Sequence, residues 1–150
     1  AYWLVVGDGP EREAVEREIR TVNCEDHVRL AGERTDVPRL LRASDVMVLS
    51  SISEGIPLTL IEGMLATLPI VSTDVGGVPE VVQGVQCDYL VAKQDDKKMC
   101  EKLQALLSSA RIRRELGESN QIRAEQMFGE HRMHQEYESI YLSVGARGCV

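Results

Sequence analysis

Two glutamates with seven residues between them, Glu54 and Glu62, bracket the segment SEGIPLTLIE. Pro57 is placed to start a helix running to about Ala66, so Gly55 sits at the mouth of that helix. First-turn amides of a helix have no internal acceptor, and the helix dipole adds positive potential there, which makes an anion site suited to a diphosphate. Gly55 lets the backbone approach a ligand with no Cβ in the way. Pro57 has no N–H, so the donors are the amides of Ile56, Leu58 and Thr59. Glu62 falls one turn deeper among Leu60, Ile61, Met64 and Leu65, and is expected to be half-buried, where a carboxylate needs hydrogen-bond partners. The adjacent hydroxyls of a ribose would supply them. Glu54 lies at the loop tip, within reach of a sugar ring. Each glutamate also has a plain reading, Glu62 as a solvated helix-face acid and Glu54 as a surface loop acid, and the residues alone leave both readings open.

Two further glycine loops have the same composition. Gly7-Asp8-Gly9-Pro10 is a fragment of a dinucleotide-binding fingerprint without its third glycine, and reads equally as a tight turn into a helix. Asp74-Val75-Gly76-Gly77-Val78-Pro79-Glu80 repeats the glycine-then-helix arrangement; it either lines the same crevice or is a turn that needs positive φ.

The elements that must carry these loops alternate between β-branched runs and helical stretches, the pattern of a parallel sheet covered by helices. Strands are expected at Trp3 to Gly7, Val28 to Ala31, Asp45 to Ser50, Pro69 to Ser72 and Tyr89 to Val91. Trp3 to Gly7 is continuously apolar, as buried parallel strands are. Gly9-Pro10 opens a helix with Ala14, Val15, Ile19 and Val22 on one face, and Asp36 is a candidate N-cap for a short helix to Leu41. A short helix is expected from Glu80 to Gln83. From Asp95 the chain reads as helix only, capped by Asp95 or Asp96 and broken at Gly117 and Gly129, with a last helix from about Glu130 to Val144. Open α/β sheets bind ligands beyond the carboxyl ends of their strands, where all three glycine loops fall.

Composition narrows the partners. The 150 residues form one ordinary domain, and a formal net charge of −7 with no basic block argues against nucleic acid. Any phosphate must therefore be held by local amides or by cations supplied elsewhere. Aromatics are 4%, so the core is aliphatic and bases find few rings to stack on. Cys24, Cys87, Cys100 and Cys149 form no CxxC pair and have no zinc-like spacing to His27, His131 or His134; they read as small buried residues plus one loose thiol near the end, suiting a reducing compartment. His131 and His134 share a helix face and read as solvated, with no third metal ligand. No apolar run approaches the length of a membrane span.

The central segment SSISEGIPLTLIEGMLATLPIVSTDVGGVPEVV resembles the signature of the family 4 glycosyltransferases of the GT-B fold, and LVVGDGP, VRLAG and ASDVMVLSS agree with it. The resemblance covers nearly the whole chain. It implies a Rossmann-like α/β domain, with about five parallel strands, helices on both faces and a helical C-terminal tail. It implies that Glu62 binds the ribose of a nucleotide-sugar donor and that Glu54 acts as the catalytic glutamate against the transferred sugar. The amides of Gly55, Ile56, Leu58 and Thr59 would hold sugar and diphosphate, and Gly7 and the backbone from Arg29 to Gly32 would line the rest of the donor. It further implies retention of anomeric configuration without a metal or other cofactor, an acceptor that the sequence does not name, and a cytoplasmic protein that touches the inner membrane face, if at all, through regions outside these residues.

Departures accompany the resemblance. Gly63 stands where the family usually has Ala, Leu68 where it has Gly, and Asp88 replaces a glycine before the last strand. The family's Gly-Arg strand, the Lys that follows it and the acceptor domain do not precede Ala1, so residues 1–150 are expected to form one partial nucleotide-sugar-binding domain, poorly stable without the strand that would lie mid-sheet. The alternatives are a non-catalytic nucleotide-binding module of the same fold, and a GT-B epimerase with different acid and His placement.

Overall fold

The computed structural model describes residues 1–145; Cys149 lies outside them. Five parallel strands and their helices form, in two sheets rather than one continuous sheet. The chain divides into two compact units, Ala1–Arg39 and Leu40–Val150.

In the first unit, β1 (Trp3–Val6) pairs in parallel with β2 (Val28–Gly32) around α1 (Arg12–Thr21). Helix α1 begins after a turn at Pro10, with Glu11 rather than Pro10 at its mouth. The expectation that β1 is buried fails: Trp3, Leu4, Val5 and Val6 are 40–45% exposed, and none of the unit's residues is buried. Two strands and a ten-residue helix do not supply enough apolar surface to close a core, and units below roughly 40 residues rarely do. Helix α2 (Val37–Arg42) spans the division between the units. Asp36 does not cap it with its side chain. Its carboxylate takes a two-pronged hydrogen bond from Arg34 at 2.8 Å, and that guanidinium holds its carboxyl below the usual range.

The second unit holds the core. Strands β3 (Met47–Leu49), β4 (Ile70–Thr73) and β5 (Leu90–Val91) pair in that order, with β4 central and buried at every residue. Side chains alternate across β4. Ile70 packs with Leu60 and Met64 of α3 (Leu58–Leu65) and with Val78 and Val81 of α4 (Val78–Val81). Val71 points to the other cluster, with Leu103 and Leu106 of α5 (Asp96–Ser108). Helix α6 (Ala110–Phe128) serves both, giving Leu116 to one cluster and Ala124 to the other. Helix α7 (Glu130–Gly145) follows the break at Gly129.

Asp95 caps α5, its carboxylate accepting from the Lys98 amide at 2.9 Å. Ser109 starts α6 in the same way, and Gly117 breaks nothing: it is buried in mid-helix where the Thr67 carbonyl leaves no room for a Cβ. Helix–helix contact, not helix termination, is its role. The two unusual residues near α3 also have packing reasons. A Cβ at Gly63 would overlap the Met47 sulfur, so the methionine fills the space that an alanine would occupy. Leu68 is buried, and its carbonyl accepts from Asn120 Nδ2 at 2.8 Å. Asp88 lies in a 3-10 segment, Gly84–Tyr89, that begins at the positive-φ Gly84, so position 88 itself needs no glycine. The cysteines are not buried as expected. Cys24 is half-buried while Cys87 and Cys100 are exposed, Cys100 on the outer face of α5.

Candidate functional site

The residues singled out from the sequence lie in each of the two units, taken separately. In the first, Gly7 and Gly32 meet, Gly7 N–H donating to Gly32 O at 2.8 Å, both with positive φ. Gly9 N–H is taken by Asp8 Oδ1 at 2.8 Å, and Asp8 is paired with Arg12 at 3.2 Å. Two amides of the Gly7–Pro10 loop are thus already taken, one by β2 and one by the loop's own Asp8. Arg29 is exposed on β2.

In the second unit, the loops after β3 and β4 lie side by side, because these neighbouring strands are parallel and end at the same edge. The first loop leads into α3, whose face formed by Leu60, Gly63 and Met64 is buried. Among the described residues, no acceptor is hydrogen-bonded to the amides of Ile56, Leu58 or Thr59, and Pro57 provides no side-chain cap. A Cβ at Gly55 would stand in open space, so the fold does not itself require glycine there.

Glu54 is half-buried, and its Oε1 accepts from Ser51 Oγ at 2.5 Å. Ser51 O in turn accepts from Thr73 Oγ1, at the end of β4, at 2.6 Å. The loop after β4 touches the same segment: Gly77 N–H donates to Gly55 O at 2.8 Å, and Gly76, at φ +53°, lies directly against the Glu54 carbonyl. The reading of the 74–80 loop as a turn that needs positive φ holds at Gly76, and the loop packs against Glu54 and Gly55. Ser51 and Thr73 had no assigned role from sequence. The signal available was slight, a serine three residues before the glutamate and a threonine at the end of the fourth strand.

Glu62 is exposed, not half-buried. The apolar neighbours in sequence misled here, because Glu62 is two residues from Leu60 and so points roughly 200° around the helix from the buried face. It shares its outward face with Leu58, 70% exposed, and Leu65, 47% exposed, at positions i−4 and i+3. No protein donor occupies its carboxylate among the described residues. On α7, His134 stands 3.7 Å from Glu130 and His131 bonds Gln135, both exposed.

Comparison with known proteins bears on the family and the fold. Residues 1–109 match the family described as glycosyl transferases group 1. The N-acetyl-alpha-D-glucosaminyl L-malate synthase of Bacillus anthracis is 33% identical over 144 residues, covering 96% of this chain but 38% of that relative. The chain therefore spans well under half of that relative's length. The structure of Anabaena HepE in complex with UDP superimposes with a TM-score of 0.88 at 21% identity, over 95% of this chain and 41% of that one. The C-terminal domain of a group 1 family protein, LpcC of Francisella tularensis, gives a TM-score of 0.73 at 16% identity, over 86% of this chain and 87% of that domain. These structural likenesses show the fold, and the sequence match shows the family: the chain belongs to the group 1 glycosyl transferases.

Proposed function

We propose that this chain is the donor-binding part of a retaining glycosyltransferase, which moves a sugar from a nucleotide-diphosphate sugar to an acceptor. The observation that carries the reading is the entrance of α3. The amides of Ile56, Leu58 and Thr59 have no acceptor there, beside a half-buried Glu54, at the carboxyl ends of two parallel strands. A departing diphosphate gains negative charge as the glycosidic bond breaks. Fixed N–H donors stabilise that charge more in the transition state than before it, and the helix dipole adds to them. No metal is required by this arrangement. Glu54 contacts the transferred sugar and holds the anomeric carbon in place.

Glu62 accepts from the ribose hydroxyls. Its exposure leaves both carboxylate oxygens for a ligand, and Leu58 and Leu65 flank it with apolar surface. The UDP carried by HepE supports a nucleotide ligand. The likeness to LpcC, described as a C-terminal domain, supports a place at the carboxyl end of a longer protein. Cations for the diphosphate, the acceptor site and any contact with the inner membrane face would come from that longer protein. Among the described residues, no helix is long and apolar enough to cross a membrane. The exposed free thiols suit a cytoplasmic setting.

The test is a panel of UDP-, GDP- and ADP-hexoses offered to the complete gene product, with the product's anomeric configuration read by NMR. Glu62→Ala is expected to weaken binding of the cognate nucleoside diphosphate by about 1–3 kcal/mol through lost charge-assisted hydrogen bonds. Glu54→Ala is expected to lower kcat more than donor affinity. An unchanged Kd in Glu62→Ala contradicts the ribose role, and an inverted product contradicts retention.

A further inference from the structure

Two loops meet at Glu54, and the fold spends several buried or space-limited groups on that meeting. Thr73 is only 3% exposed, and its hydroxyl is directed at the Ser51 carbonyl at 2.6 Å. Ser51 Oγ, a hydroxyl with one proton to give, gives it to Glu54 Oε1 at 2.5 Å, the short length of a hydroxyl bonded to a carboxylate. The partner oxygen, Oε2, has no hydrogen-bond donor among the described residues. From the other side, Gly77 N–H donates to Gly55 O at 2.8 Å. A Cβ at Gly76 would overlap the Glu54 carbonyl, and one at Gly77 would overlap the Gly55 carbonyl and press on Ile56 Cγ1 at 3.2 Å. Gly55, one residue from Glu54, has open space instead. The tightness is therefore confined to where the second loop supports the first.

We propose that Ser51, Thr73, Gly76 and Gly77 are positioning residues that fix the direction of the Glu54 carboxylate, with one oxygen held by Ser51 and the other presented to the transferred sugar. The proposal rests on the reading that Glu54 acts in sugar transfer. Thr73 anchors the loop to the buried end of β4, the glycine turn sets its height, and Ser51 sets the rotation of the carboxylate. A free carboxylate samples several rotamers; one whose oxygen is pinned does not, and a displacement of about 1 Å at a reacting group can cost on the order of a hundredfold in rate. In this arrangement Ser51 acts through Glu54 rather than on the nucleotide, so the effect of losing its hydroxyl separates from binding.

The test uses the complete gene product and four variants: Ser51→Ala, Ser51→Thr, Thr73→Val and Thr73→Ser. Turnover is followed with the hexose donor that the wild type uses, UDP binding by calorimetry and folding by thermal melting. Ser51→Ala is expected to lower kcat about 10- to 100-fold with the UDP Kd within about twofold and melting unchanged, while Ser51→Thr restores most of the rate. Thr73→Val should lower kcat in the same direction and Thr73→Ser should not. Full turnover in Ser51→Ala overturns the proposal. Crystal structures of the wild type and Ser51→Ala provide a readout that needs no turnover: one Glu54 rotamer in the first and a dispersed or relocated carboxylate in the second. An unmoved Glu54 in Ser51→Ala overturns the positioning role, whereas a wild type that keeps the single rotamer but transfers no sugar overturns only the proposed function.

Discussion

Strand β1 of the first unit and strand β4 of the second are both four-residue runs rich in β-branched side chains. Every residue of β4 is buried and every residue of β1 is exposed. The difference lies in what surrounds each strand. β4 has a strand on either side and side chains from α3, α4 and α5 over its two faces. β1 pairs with β2 alone in a unit whose helix buries no residue. An apolar run states that a strand could be buried; layers on both faces decide that it is.

Substitutions sharpen this contrast. The largest effect is expected in the second core. Leu60→Ala, at a site with no exposed surface, should cost about 2–5 kcal/mol in urea unfolding of residues 1–150, the residues whose burial sets the comparison. Val5→Ala should cost well under ~1 kcal/mol, because part of its surface already faces water. Equal losses at the two positions would mean that β1 is covered as fully as β4, and would break the comparison.

A smaller effect is expected from the polar seam of the second unit. Asn120 Nδ2 donates at 2.8 Å both to Leu68 O and to Gln86 Oε1, and Gln86 in turn bonds the Ile70 backbone on both its donor and acceptor sides. Asn120→Ala leaves Leu68 O without that partner and should cost about 1–3 kcal/mol in the same measurement. A loss within experimental error would show that water replaces the amide.

The smallest effect belongs to the first unit. Arg34 hydrogen-bonds the Asp36 carboxylate and holds its pKa below the ordinary aspartate value. A carboxyl with a depressed folded-state pKa stabilises the fold above its unfolded value, and that contribution is lost as pH falls through the lowered one. The pair is on the surface, so the gain in stability is slight and an NMR titration is the sensitive readout. The Asp36 midpoint should lie below the ordinary aspartate value and return to it in Arg34→Ala. A midpoint indifferent to Arg34 contradicts the pairing.

Much of this was legible in the residues. Strand positions, the Pro57 helix entrance and the Asp95 cap follow from local composition, because each is set by backbone chemistry within a few residues. The unpaired amides of Ile56, Leu58 and Thr59 among the described residues follow in the same way. What was not legible depends on which partner or face each group meets in the fold, near or far in sequence. Gly117 reads as a helix breaker until the Thr67 carbonyl is seen against it. Asp36 reads as a cap until Arg34 takes its carboxylate. Glu62 reads as half-buried because its sequence neighbours are apolar, yet only the face of α3 through Leu60 and Met64 turns inward. Ser51 and Thr73 gain meaning only when β3 and β4 bring their ends together.

The central claim is that a pyrophosphate sits on the free amides at the start of α3. A crystal structure of the complete gene product with UDP tests it most directly. The account predicts phosphate oxygens within hydrogen-bond distance of the Leu58 or Thr59 amides and ribose hydroxyls on the Glu62 carboxylate. A diphosphate bound elsewhere, with Glu62 facing only solvent, would contradict it.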